Sequence, residues 1–365
     1  MNPRYFLWQL RRWLGFGIVY LSLTLGVTVL VPFLTKPDAN VLTSVFSASS
    51  LVPLSFGSAF AVLMAGLTFS YRYSRRSSDY FLSLPTHPME VRLTRMVISL
   101  IYILVPYILS HFLLAAIVAL RFGGVGAGLL FGTFGYGLAM LVATYLLFLF
   151  PFARAKTVFE ALFLLVLVNA IFSLDLLPYD LYVFLSPMGG GYNDPNAPTG
   201  YMSMIMSALT PMGVSFPSLS YSSIIAPLLL GGKIDLAVDL NACFTVAKMV
   251  AYPLLGLASG ATALFLKEPS GEKMGVTSKG PSVERYLLHY FMAELALMLG
   301  SSALVFTGLQ IIPVILIIVY LVFYYGVVSL YGRSFVPSKY DLPGYGLSLA
   351  FFLIGIITCA VAMYA

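Results

Sequence analysis

From position 14 onward the chain alternates between long apolar runs and short polar loops. A bilayer-crossing helix needs about 20 mostly apolar residues, because hydrocarbon offers no partner to an open backbone group. Nine runs approach or exceed that length: Leu14–Leu34, Leu51–Tyr71, Met96–Leu120, Gly128–Phe150, Val158–Leu176, Cys243–Leu266, Tyr286–Gly308, Ile311–Leu330 and Gly344–Ala365. The pattern predicts an all-α polytopic membrane protein with about nine transmembrane helices. The seventh and eighth runs are joined by only two residues.

Residues 1–13 carry a different pattern. At 100° per residue, Phe6, Leu7, Leu10, Trp13 and Leu14 share one face, and Arg4, Arg11 and Arg12 gather opposite. This predicts an interfacial amphipathic helix in the headgroup plane. The alternative is a plain extension of the first span. Residues 14–176 then hold the first five spans, with a cytoplasmic loop at 72–95. Residues 177–242 are rich in Pro, Gly, Ser and Met, and are too apolar for a floppy connection. They read as an extracellular cap. Residues 243–365 hold the last four spans.

Composition supports a lipid solvent. Of 365 residues, 60% are hydrophobic and 9% charged, against about 25% charged in soluble domains. Charge placement then sets orientation. With the N-terminus cytoplasmic, 16 of the 20 Lys and Arg fall on cytoplasmic loops; Lys36, Arg121 and Lys233 fall outside, and Lys248 lies within the sixth run. That asymmetry follows the positive-inside rule. The net charge of +6 is thus a topology signal, and no nucleic-acid partner is expected. The first run is longer than a cleavable signal segment and reads as a retained span. Short loops fit a multi-pass protein of a bacterial plasma membrane.

Little in the chain suggests catalysis. Cys243 and Cys359 form neither a metal spacing nor a disulfide framework, so no metal site is expected. Gly231-Gly232-Lys233 runs into Ile234 and lacks the P-loop pattern. His87, His111 and His289 are isolated in sequence. Gly256-Leu257-Ala258-Ser259-Gly260 reads as a small-residue stripe for helix packing. Ionisable residues inside spans are the default functional candidates. Here they are Glu160, Asp175, Lys248, His289 and Glu294, with a structural Glu294–His289 or Glu294–Lys248 pair expected.

The polar island between the second and third runs is denser. Arg72, Arg75, Arg76, Asp79, Glu90, Arg92 and Arg95 all lie within it. Pro88 with Glu90 two residues on marks a helix start, with His87 at the cap position. Before it, Asp79-Tyr80-Phe81-Leu82-Ser83-Leu84 has the length of one or two helical turns. It presents Phe81, Leu82 and Leu84 beside an acid. A positive-inside anchor explains the arginines but not these apolar residues.

This segment resembles the coupling region of ABC transporter permeases of the type-two, exporter class. Asp79, Leu82-Ser83-Leu84-Pro85, Glu90 and Arg95 carry the resemblance, while Pro88 stands where a basic residue is more usual. The N-terminal segment and the charged linker Glu268–Gly275 are similar to those of extended Gram-positive members. The resemblance implies a permease subunit that is not itself an enzyme. Asp79, Tyr80, Phe81, Leu82, Ser83, Leu84 and Pro85 would dock into a separate ATPase subunit. The N-terminal helix, with Arg4, Arg11 and Arg12, would flank that contact. ATP and Mg would belong to the ATPase, with no cofactor on this chain. A second permease subunit, identical or not, would complete the pathway for a peptide, lipid or drug-like substrate. Two other readings stand beside it. One is an ion-coupled secondary carrier using Glu294. The other is a membrane-embedded lipid-modifying enzyme using outer acids such as Asp175, Asp180 and Asp194.

Overall fold

The computed structural model describes residues 3–34, 42–73, 80–81, 83, 87–122, 126–174, 221, 225–229, 240–266, 283–303, 312–332 and 341–364. Among the described residues the structure is helical, without strands. The long helices are α1 (Pro3–Leu34), α2 (Leu42–Phe69), α3 (Pro88–Phe122), α4 (Ala127–Arg154), α5 (Val158–Leu174), α6 (Leu240–Phe265), α7 (Val283–Ala303), α8 (Ile312–Gly332) and α9 (Leu342–Tyr364). Each overlaps one predicted apolar run. Four helical stretches, Pro3–Leu30, Ser49–Tyr73, Pro88–Arg121 and Ala127–Arg154, are long and apolar enough to cross a membrane. Pro53, Pro106, Pro151 and Pro253 sit inside helices without ending them. Neighbouring helices and hydroxyl side chains can re-satisfy the freed backbone groups in such a setting.

The expected interfacial segment and the first apolar run lie on one helix, α1, unbroken through positions 13 and 14. Its Pro3 stands at the first helical position, where the missing N–H costs nothing. The helix that holds the second span starts at Leu42 rather than near Leu51. The cap is described only at Tyr221, 225–229 and the start of α6; the charged linker and the seven–eight connection lie outside the described residues.

The chain divides into two compact units, Met1–Leu162 with Gly213–Val276, and Phe163–Met212 with Thr277–Ala365. The sixth predicted run therefore groups with the first four, not with the last three. In the first unit α4 is the central helix, packed by α2 and α6, with α1 and α3 alongside. The small-residue stripe of α6 makes the close contact. A Cβ at Gly256 would stand 2.8 Å from the Ala143 carbonyl oxygen. Ser259 Oγ donates to Leu147 O at 2.8 Å and accepts the Phe150 N–H at 3.0 Å. Tyr252 donates to Thr144 Oγ1 at 3.1 Å. Thr68 Oγ1 lies 2.9 Å from Ser99 Oγ and 3.1 Å from the Tyr145 hydroxyl, joining α2, α3 and α4. Small residues and hydroxyls of this kind hold helices together where lipid removes the usual hydrophobic drive.

In the second unit α7 pairs with α9. His289 lies by Gly344, and Gly300 lies against the Phe352 backbone, so the two helices run parallel. Tyr324 meets His289 and Tyr320 meets Met292, so α8 runs antiparallel to α7.

Candidate functional site

Arg72, Arg92 and Arg95 of the polar island converge where several helices of the first unit end. After α2 a short 3-10 turn, Ser70–Tyr73, carries the chain out. Arg72 is buried and its Nη1 donates to the Ala153 carbonyl; the Tyr73 hydroxyl donates to Phe152 O at 3.0 Å. Both acceptors lie in the last turn of α4. Arg92 Nη1 donates to Ala263 O and Leu266 O, at the end of α6. Arg95 Nη2 donates to Leu67 O at 3.1 Å, in the last turn of α2. The last carbonyls of a helix lack intrahelical partners and form its negative pole. Each arginine therefore caps a different helix, an effect of up to about 2 kcal/mol when partly buried. The sequence explains these residues as topology anchors; Arg92 and Arg95 also tie α6 and α2 to α3, and Arg72 ties the turn after α2 to α4.

Arg95 is the centre of this arrangement. It is 2% exposed. Its guanidinium carbon stands 5.1 Å from the Trp13 ring centre, 4.9 Å from Tyr71 and 5.0 Å from Phe81. Among the described residues, Nε and Nη1 have no hydrogen-bond partner. A buried unmade donor costs about 1–3 kcal/mol. Desolvated cation–π contacts contribute about 2 kcal/mol or more, so three ring faces offset that cost.

The predicted docking turn is anchored here. Tyr80 and Phe81 are helical and Ser83 lies in a turn, its Oγ donating to Tyr80 O at 2.8 Å. Tyr80 is 54% exposed, whereas Phe81 is 5% exposed and packs on Tyr71 at 5.3 Å between ring centres. The sequence reading presented Phe81 outward; the correction is that Phe81 is the anchor and Tyr80 faces out. The physical reason is Arg95, whose buried charge recruits that ring. Asp79, Leu82, Leu84 and Pro85 lie outside the described residues. On the far side of the loop, α3 starts at Pro88 as expected. His87 caps it: the Met89 N–H donates to its Nδ1 at 3.3 Å, and the Glu90 N–H to its carbonyl at 2.8 Å. Glu90 sits exposed on the first turn.

The other candidates separate. Arg4, Arg11 and Arg12 are exposed along the start of α1, with Arg12 5.3 Å above the Trp8 ring. Glu160 is a helix cap: its Oε2 accepts the Lys156 N–H at 2.9 Å while its own N–H donates to Thr157 Oγ1 at 3.1 Å. This is a capping box closed one residue early. The side chains of Lys248 and Glu294, and all of Asp175, Asp180 and Asp194, lie outside the described residues.

Among the described residues, His289 meets Tyr324 and Asp341. Its Nδ1 is hydrogen-bonded to the Tyr324 hydroxyl, and its Nε2 stands 3.4 Å from Asp341 Oδ1. Arg285 Nε lies 3.3 Å from the same carboxylate oxygen. All of these groups are buried. Gly344 leaves room for the set, since a Cβ there would run into the Tyr324 hydroxyl and the His289 ring. Sequence reasoning missed Asp341 and Tyr324. The available signal was an acid directly before the last apolar run, at the positive end of α9.

No known protein family, curated protein or solved structure matches the chain.

Proposed function

We propose that the chain is the permease subunit of an ATP-driven exporter of the ABC type-two class. Its ATPase is a separate subunit, and the turn around Tyr80 is the docking element. The observation that carries this reading is the way that turn is held. Phe81 is locked among Tyr71, Arg95 and Trp13 while Tyr80 stays exposed. A push on Tyr80 would reach α2 through Tyr71 and Leu67, α1 through Trp13, and α3 through Arg95 itself. Coupling by a docked subunit needs this kind of short, stiff path, since packed elements transmit displacement better than loose ones.

In this proposal nine spans cross a bacterial plasma membrane from a cytoplasmic N-terminus. The parallel α7–α9 and antiparallel α7–α8 pairings of the second unit support that alternation. A second permease subunit completes the pathway, and the cargo is a peptide, lipid or drug-like molecule.

The test is affinity purification of the tagged chain from its native membrane, followed by an ATPase assay of the eluate. Wild type is expected to bring down an ATP-hydrolysing subunit. Tyr80→Asp and Leu82→Asp/Leu84→Asp are expected to lose it while eluting as the same folded species. ATPase yield unchanged by either variant would overturn the docking assignment. An eluate without ATPase from wild type would overturn the exporter reading.

One observation favours a second reading, the ion-coupled carrier: the buried Arg285–Asp341–His289–Tyr324 set. It would replace Glu294 as the coupling group. Uptake into proteoliposomes that follows a proton gradient without ATP would select it.

A further inference from the structure

An apolar groove of about 630 Å³ runs between α1 and α2, lined by Phe16, Val19, Leu23, Phe56 and Leu63, with Arg12 at one end. The five apolar residues are all strongly exposed. From Arg12 to Leu23 the α1 edge of the groove is about 16 Å long at 1.5 Å per residue. That matches one leaflet of hydrocarbon, about 15 Å. Gly15 opens the upper part of the groove: a Cβ there would meet nothing within 4 Å. Arg12 is held at the groove mouth by its stack on Trp8, a residue type that settles at headgroup level.

We propose that this groove is a binding site for one anionic phospholipid, with its phosphate on the Arg12 guanidinium and one acyl chain along α1 and α2. The charge at one end and the apolar length below it are complementary to such a molecule. A second copy of the chain fits less well. Two copies in one bilayer share an orientation, so a two-fold contact through this patch has its axis along the membrane normal and sets both Arg12 side chains at the same depth, cation near cation. The proposal does not depend on the exporter reading.

The experiment uses the full chain in mild detergent, with native mass spectrometry and thermal melting in phosphatidylglycerol and in phosphatidylcholine. Wild type is expected to retain phosphatidylglycerol preferentially. Arg12→Gln should weaken phosphatidylglycerol binding about fivefold, the value of one surface cation at about 1 kcal/mol, and leave phosphatidylcholine unchanged. Gly15→Phe, or Val19→Trp as a second filler, should reduce binding of both lipids. Gly26→Phe is the control. It lies on the same helix, also meets nothing within 4 Å and does not line the groove, so it should bind as wild type does. Equal binding of the two lipids by wild type, or an Arg12→Gln variant that keeps the preference, overturns the proposal. So does a Gly15→Phe variant that turns a dimer into a monomer without changing lipid binding, since the occupant is then a second copy.

Discussion

Both units bury arginine, and Arg95 in the first and Arg285 in the second meet different kinds of partner among the described residues. In the second unit Arg285 and His289 share the Asp341 carboxylate. In the first, Arg72, Arg92 and Arg95 each donate to a helix-end carbonyl, and Arg95 also lies against three ring faces. At Arg95 the compensation among the described residues is spread over a carbonyl and three aromatic rings, partial charges that cannot take up a proton. At Arg285 the partner is an acid: Asp341 meets both Arg285 and His289, so a single change there alters two buried contacts at once. Arg95 thus has several supports, whereas Arg285 and His289 share one carboxylate oxygen.

The largest effect is expected at the concentrated site. Asp341→Asn leaves Arg285 and His289 buried beside a neutral amide. Breaking a buried pair in this way costs about 3–5 kcal/mol, visible as a large drop in melting temperature. Both tryptophans, Trp8 and Trp13, belong to the first unit. Tryptophan emission of Asp341→Asn below its melting point should therefore match wild type. A shifted emission would show that the contrast between the units is false.

Arg95→Lys should come next, at about 2 kcal/mol. The ammonium keeps the charge but loses the planar fork that reaches Leu67 while lying against rings. Here Trp13 emission should shift, because its ring partner has changed. An unchanged melting temperature would mean that the rings carry no net stabilisation.

Gly256→Val tests the α4–α6 contact at about 1–3 kcal/mol, the usual cost of overpacking. The carbonyl of Ala143 stands where the new side chain must go, and backbone cannot step aside as a side chain can. The smallest effect is expected at His87→Ala, about 1 kcal/mol for a lost cap. Hydrogen exchange at Met89 and Glu90 should rise, with Arg95 and its rings undisturbed. Exchange unchanged at Met89 would remove His87 from its capping role.

The helices were legible because run length alone reports them: each apolar run overlaps one helix. The start of α3 was legible too, since Pro88, Glu90 and His87 encode it locally. The arginine caps were not. Their acceptors are carbonyls, and any residue supplies a carbonyl, so Leu67, Ala153 and Ala263 carry no signature. Phe81 was read outward because an apolar residue in a charged loop looks like a docking group. Its ring partner, Arg95, is fixed only when α2 and α3 come together. The grouping of α6 with the first four helices was also hidden. A stripe such as Gly256–Gly260 announces close packing but does not name the helix it packs on. Asp341 escaped because it sits just outside an apolar run, where a polar residue draws no notice.

The most direct test of the coupling reading is a photo-crosslinking side chain placed at Tyr80 in native membranes. The comparison position is Leu120, 88% exposed near the other end of α3. The account predicts an adduct between Tyr80 and an ATP-hydrolysing subunit, and none from Leu120. No such adduct from Tyr80, or the same adduct from both positions, would contradict it.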